Sequence, residues 1–212
     1  MGCEQRTQRG KRFGKHFSVF SAFFAVDHLA GFSRYPEYTG PRDDLDMAMN
    51  PLEPPDKHYV EAAKGWCELD AFLEANEELE KISQALRAHP QVLEVRWQIN
   101  ANLQEWDAAL EIATALTTMH PDWPSGWIYL ASSLTELNRH PEAYETLSTA
   151  AERFPSDEII LYDLACVCCA LKRPDEAMTW MNKAIQVGGD EIKQRALDDR
   201  DLQPLLQRIV QP

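Results

Sequence analysis

The sequence predicts an all-α protein that is built as a stack of helix pairs. Two segments between positions 122 and 189 carry the same pattern of large and small apolar residues, and every matched pair is 34 residues apart. A fixed offset of this size indicates a repeated supersecondary unit. Within each segment the apolar residues recur at steps of three and four, which places them on one face of a helix. These observations together indicate a helical solenoid.

Each of the two segments is divided into two predicted helices by a turn that contains a proline, Pro141 in one and Pro174 in the other. Proline is tolerated in the first turn of a helix and breaks its interior, so a second helix is expected to start there. The matched positions are Trp127, Leu130, Ala131, Leu134, Leu137, Ala143, Leu147, Ala150 and Pro155 in the first segment, and Leu161, Leu164, Ala165, Cys168, Leu171, Ala177, Met181, Ala184 and Gly189 in the second.

This pattern resembles the tetratricopeptide repeat (TPR), a 34-residue helix–turn–helix unit. Both segments match the bulky, Leu and small positions of its first helix and the small and aliphatic positions of its second. Gly189 stands where Pro is usual, which a helix end accepts. The resemblance implies a TPR-type solenoid of about four helix pairs that acts as a non-catalytic scaffold and binds a protein or peptide in a concave groove.

Two further units are predicted upstream, and the first of them is expected to be degenerate. Ala62, Trp66, Leu69 and residues 72–73 make its first apolar face, and residues 79–86 make its second. On this alignment Glu78 or Leu79 replaces the small residue of the second helix. Atypical terminal units are expected because one side of them faces water.

The second unit is predicted to be compressed, because the interval from Pro90 to Pro121 is shorter than the interval from Pro121 to Pro155. With this spacing, Trp66 and Trp97 align with the repeat position that is alanine in the later units. We expect both rings to pack in the core, since aromatic residues at helical spacing usually point inward.

The two ends of the chain are predicted to differ from the array at 51–189. Residues 1–50 show no helical period and are expected to be a disordered tail or an extension upstream of a natural start at Met47 or Met49. Within them an apolar run at 17–26 follows three cations, which raises the alternative of a membrane-tethered assembly factor that uses residues 11–26. The run is too short to span a bilayer. Residues 190–212 are expected to cap the last unit.

Charge and cysteine content limit the classes of partner. Residues 47–212 hold 14 Lys and Arg against 28 Asp and Glu, a net charge of −14. This acidity disfavours nucleic acid and anionic membrane as partners of the repeat region. The five cysteines have no regular spacing, which fits reduced thiols and a cytoplasmic protein better than a disulfide framework.

One motif suggests chemistry, the Cys-x-x-Cys spacing of Cys166 and Cys169. It raises the alternative of a thiol or redox protein, but both residues fall in the middle of a predicted helix, where no helix N-terminus lowers a thiol pKa. Small packing residues are the favoured interpretation. The six histidines offer no pair at metal-ligand spacing, and no phosphate loop or nucleophile elbow occurs. We therefore expect no enzyme activity, no metal and no cofactor.

The positions of the first helices that face inward are expected to form the partner-binding groove. They are Glu94, Gln98, Asn102, Ile128, Tyr129, Ser132, Glu136, Tyr162, Asp163 and Cys166. No Lys or Arg is among them, so an acidic ligand would meet carboxylates without a compensating cation. The groove is therefore predicted to favour a protein or peptide that carries basic residues.

Overall fold

The computed structural model describes residues 51–199 together with Leu202 and Leu205, and within these residues the chain forms eight α-helices and no β-strand. Residues 1–50, for which a tail is predicted, lie outside this part. The helices are α1 (Asp56–Glu68), α2 (Phe72–Glu80), α3 (Pro90–Asn102), α4 (Trp106–Met119), α5 (Pro124–Glu136), α6 (His140–Arg153), α7 (Glu158–Ala170) and α8 (Pro174–Asp198).

The helices stack in chain order as four antiparallel pairs. Each helix packs against the next, and the first helices of neighbouring units also contact one another: α1 with α3, α3 with α5, and α5 with α7. The first helices therefore line one surface of the array, and the second helices cover the other. The predicted all-α solenoid of four helix pairs is confirmed.

Every unit has the same length. The first helices begin at positions 56, 90, 124 and 158, and the second helices begin at 72, 106, 140 and 174, so both series advance by one constant step. The predicted compression of the second unit is wrong. Pro90 is the first residue of α3, whereas Pro121 lies before the first residue of α5, Pro124. These two prolines hold different positions in their units, so their separation does not measure the repeat.

The turn inside each unit has the same backbone conformation. Its residue with positive φ is Asp70, Gln104, Asn138 or Lys172, with φ values of 57°, 61°, 60° and 60°. The amide that follows each of these residues donates to a carbonyl near the end of the first helix, as in Ala71 N–H to Trp66 O at 2.9 Å. This pairing satisfies carbonyls that the helix leaves free, so the same helix-ending motif sets the register of all four units.

Small residues hold the two helices of each unit together. The second helices place a fully buried alanine at the same position of every unit, Ala75, Ala109, Ala143 and Ala177. The expectation that Glu78 or Leu79 replaces this residue in the first unit is therefore wrong, because Ala75 is present and has no exposed surface.

The two tryptophans do not share a position. Ala63, which is fully buried, lies one repeat before Trp97 and occupies the position that was predicted for Trp66. Trp66 is 38% exposed, so its predicted place in the core is wrong, whereas Trp97 is 2% exposed and its burial is confirmed. The ring of Trp97 stacks on Tyr129 with 4.1 Å between centroids, and its Nε1–H donates to Ser133 Oγ at 2.9 Å. Trp97 thus joins the second unit to the third.

The chain turns sharply after the fourth unit. Gly189 interrupts α8 with φ 65° and ψ −146°, a combination that is accessible essentially only to glycine. The helical segment at 190–198, within the predicted capping segment, then packs against α7 and places Ile192 and Ala196 in the same core. Leu202 and Leu205 are buried in this core as well. The last unit is thereby covered.

Candidate partner-binding groove

The ten predicted groove residues divide into two groups by exposure. Half of them keep partly exposed side chains, and these all lie on α3 and α5: Glu94, Gln98, Asn102, Tyr129 and Glu136. The others are buried: Ile128, Ser132, Tyr162, Asp163 and Cys166. The accessible part of the predicted groove is therefore formed by the second and third units, and the positions on α7 are closed to solvent.

The α3 side of the groove is a polar stripe. Glu94, Gln98 and Asn102 follow one another at intervals of four residues, so they lie on one face of the helix. Asn102 Nδ2 donates to the Gln98 carbonyl at 2.8 Å, and Glu94 Oε1 accepts from Trp123 Nε1 at 2.7 Å. Trp123 is buried at the start of α5. One oxygen of the Glu94 carboxylate is thus fixed by its hydrogen bond to Trp123.

The α5 side combines one aromatic ring with one acid. Tyr129 is half-buried because its ring stacks on Trp97, so it forms the floor between the second and third units. Ser132 is buried and donates its hydroxyl to the Ile128 carbonyl at 2.9 Å. Glu136 is partly exposed at the end of the helix, and its Oε1 is buried. A bound segment would meet Tyr129 and Glu136 on this helix.

The α7 side is covered by the segment that follows Gly189. The Tyr162 hydroxyl donates to Asp199 Oδ2 at 2.5 Å, and the Arg195 guanidinium lies 4.8 Å from the centroid of the Tyr162 ring. Burial raises the pKa of Tyr162. Tyr162 and the neighbouring Cys166 are therefore not available to a partner while this segment is in place.

Asp163 is a buried acid between α7 and the elements that surround it. Burial raises the pKa of Asp163 from 3.8 to about 7, an effect that Arg195 opposes and that Asp157 and Asp199 reinforce. The Arg195 guanidinium on α8 acts on this acid although it lies outside the predicted groove positions. Its role in the structure is internal, at the contact between the last unit and the capping segment.

Solved structures share this arrangement of helices, and one of them is described as a TPR protein. A thermophilic TPR protein of Thermus thermophilus, TTC0263, superimposes with a TM-score of 0.57 at 17% sequence identity, covering 73% of this chain and 97% of that one. This chain has the tetratricopeptide-repeat fold. MamA superimposes with a TM-score of 0.57 at 14% identity, covering 71% of this chain and 86% of that one.

A third similar structure is the Cut9–Hcn1 hetero-tetramer of the APC/C, with a TM-score of 0.57 at 17% identity over 72% of this chain and 29% of that one. At these identities the likeness shows the fold alone. No protein-family model matches the sequence, and no curated protein matches it at a significant level.

The first unit of the TPR array carries cations on its inner face that were not predicted from the sequence. The constant repeat step places Lys64 at the position of Gln98 and Ser132, and Lys57 at the start of the same face. Both lysines are exposed. The expected lack of Lys and Arg on the inner face therefore holds for the predicted positions on α3, α5 and α7, but not for the first unit.

The cysteines of the TPR array lie in buried or half-buried positions. Cys166 and Cys168 are buried and are not joined in a disulfide, and Cys169 is half-buried. Burial raises the pKa of Cys168 to about 12, the opposite of what a reactive thiolate requires. Within residues 51–199 no three His, Cys, Asp or Glu side chains are grouped closely enough to hold a metal ion. None of the helices in that range is long and apolar enough to cross a membrane.

Proposed function

We propose that this protein is a non-catalytic scaffold that holds a segment of a partner protein against α3 and α5. The observation that carries the proposal is the stripe of Glu94, Gln98 and Asn102, which stays accessible while the corresponding surface of α7 is covered. Side-chain amides on such a stripe supply donors and acceptors for the backbone of an extended peptide. Tyr129 supplies a rigid aromatic surface at low conformational cost.

The partner that fits this groove carries basic residues. Glu94 and Glu136 are the acids of the accessible groove, and the repeat region as a whole has a net charge of −14 from 14 basic and 28 acidic residues. Complementary charge speeds association and selects partners more than it adds affinity. The same acidity repels phosphate backbones, so a protein or peptide is favoured over nucleic acid. The cysteines within residues 51–199 form no disulfide, which fits a cytoplasmic location.

The proposal is tested by affinity capture with the full-length chain and a matched pair of variants. Glu94→Gln with Glu136→Gln removes both groove charges, and glutamine keeps the oxygen that accepts from Trp123. Glu111→Gln with Glu152→Gln removes two exposed charges from the second helices α4 and α6 and serves as the control. Partners are expected to be retained by the parent and the control variant and to be weakened about 2- to 30-fold by the groove variant, from ~0.2–1 kcal/mol for each exposed charge pair.

The apolar alternative predicts another outcome. If a partner docks mainly on Tyr129 and the apolar floor, both charge variants retain it equally and the groove charges only solvate the surface. A catalytic role through Cys166 and Cys169 predicts that alkylation of the thiols abolishes function, whereas the scaffold proposal predicts that partner capture survives alkylation. Equal retention by both charge variants would refute the electrostatic part of the proposal.

A further inference from the structure

Exposed apolar side chains concentrate at the turns of the first two units. Trp66, Leu69 and Leu73 flank the turn between α1 and α2 and are 38%, 70% and 71% exposed. Leu103, which is 49% exposed, holds the same position one unit later as Leu69. We call these four residues the turn patch. Equivalent positions of neighbouring units lie side by side in a stacked array, so the patch spans the first two units.

An acidic rim surrounds the turn patch. Residues 65–80 contain six Asp and Glu and no Lys or Arg. Glu68 and Glu74, next to Leu69 and Leu73, are exposed, as are Glu105 and Asp107 beside Leu103. An apolar centre with an acidic rim fits a ligand that carries an apolar stretch next to several cations.

The chain itself contains a stretch with this chemistry. Lys11, Arg12 and Lys15 precede the apolar run at 17–26, and neither feature belongs to the repeat pattern. We propose that residues 11–26 of the same chain dock on the turn patch, with the apolar run over Leu69 and Leu73 and the cations against the acidic rim. None of the four turn-patch residues is among the ten predicted groove residues, and this proposal does not rest on the proposed function.

The connection is long enough to allow this contact. The segment 27–50 separates the apolar run from Pro51, and at ~3.3 Å per residue it spans up to about 80 Å. The patch lies at the far end of α1, whose 13 residues measure about 20 Å at ~1.5 Å per residue. A tethered segment acts at an effective concentration that reaches the millimolar range, so docking within one chain outcompetes a second copy at micromolar protein.

The test is photo-crosslinking in the full-length chain, with p-benzoylphenylalanine in place of Leu73. The matched control carries it in place of Val187, which is 44% exposed on α8 at the other end of the array. Trypsin releases residues 16–34 as one peptide that contains the apolar run. A crosslink to this peptide is expected from position 73 and not from position 187. In an equal mixture of isotopically light and heavy protein, only light–light and heavy–heavy products are expected.

Charge reversal provides a second arm. Lys11→Glu, Arg12→Glu and Lys15→Glu together are expected to lower the crosslink yield at least threefold, while Arg34→Glu with Arg42→Glu, also within residues 1–50, leaves it unchanged. Because these changes remove tryptic sites, the apolar run is then read in the peptide 10–34 of the first variant and in the peptide 16–57 of the second. Light–heavy products would overturn the proposal in favour of a second copy. Crosslinks to other peptides, equal yields from positions 73 and 187, or no crosslink would overturn it as well. So would flotation with phosphatidylserine-containing vesicles in the absence of the crosslink, because residues 11–26 would then engage a membrane instead.

Discussion

Replacement of Gly189 by alanine should loosen the segment that closes the C-terminal end of the groove. Gly189 has φ 65° and ψ −146°, a region that side chains other than glycine essentially avoid at a cost of ~1–3 kcal/mol. A Cβ at this position would meet no atom within 4 Å, so the cost is backbone strain without steric overlap. Because detachment of residues 190–199 relieves that strain, the opening equilibrium should rise about 5- to 160-fold, at ~1.36 kcal/mol for each factor of ten.

The control for Gly189→Ala is Gly65→Ala. Gly65 lies in the interior of α1, and a Cβ there also meets nothing within 4 Å. Alanine in a helix interior is more stable than glycine by ~0.5–1 kcal/mol, so the same chemical change should have the opposite sign. Hydrogen exchange read by mass spectrometry should accelerate in residues 190–198 and in α7 for Gly189→Ala only. Unchanged or slower exchange there would refute the inferred turn geometry.

Three further perturbations test the packing. Ala165→Leu inserts a large side chain at a fully buried contact between α7 and α8 and should cost ~1–3 kcal/mol in urea unfolding; an unchanged midpoint would mean that the register is wrong. Trp97→Phe removes the donor to Ser133 Oγ and should cost about 0.5–1.5 kcal/mol for the lost hydrogen bond, whereas an equally stable variant would contradict the link between the second and third units. The pKa of Asp163 is about 7 in the folded chain and 3.8 ordinarily. Between pH 3.8 and pH 7 the folded state therefore binds more protons than the unfolded state. The contribution of Asp163 to stability consequently falls as pH rises through this range. Asp163→Asn should therefore gain stability over the parent from about pH 4 to about pH 7 and hold that gain above it; a difference independent of pH would contradict the burial of the acid.

The fold class and the last two units could be predicted because their apolar pattern repeats at a fixed offset. The register of the first unit could not, because Ala63 and Trp66 lie three residues apart on nearly the same helical face and periodicity does not distinguish them. The shared identity of Trp66 and Trp97 favoured the wrong pairing. The turn residues that fix the register, such as Asp70 and Gln104, differ in side-chain type. No shared residue therefore identifies the position of the turn in the sequence.

The accessibility of the groove positions could also be predicted only in part, but the cause is different. The repeat period identifies which face of a helix points inward, but it does not show what covers that face. Tyr162 and Asp163 are covered because the chain reverses at Gly189 and returns Arg195 and Asp199 to α7 from the far end of the next helix. Lys57 and Lys64 were missed because the first unit was placed in the wrong register.

The measurement that tests the scaffold proposal most directly is the affinity of a captured partner for the full-length chain at two salt concentrations. Between 0.1 M and 1 M salt the Debye length falls from ~10 Å to ~3 Å. If Glu94 and Glu136 attract basic residues of the partner, affinity should fall with salt, mainly through slower association, and Glu94→Gln with Glu136→Gln should remove most of that dependence. Affinity that holds or rises with salt, together with a double variant that binds as tightly as the parent, would contradict the account.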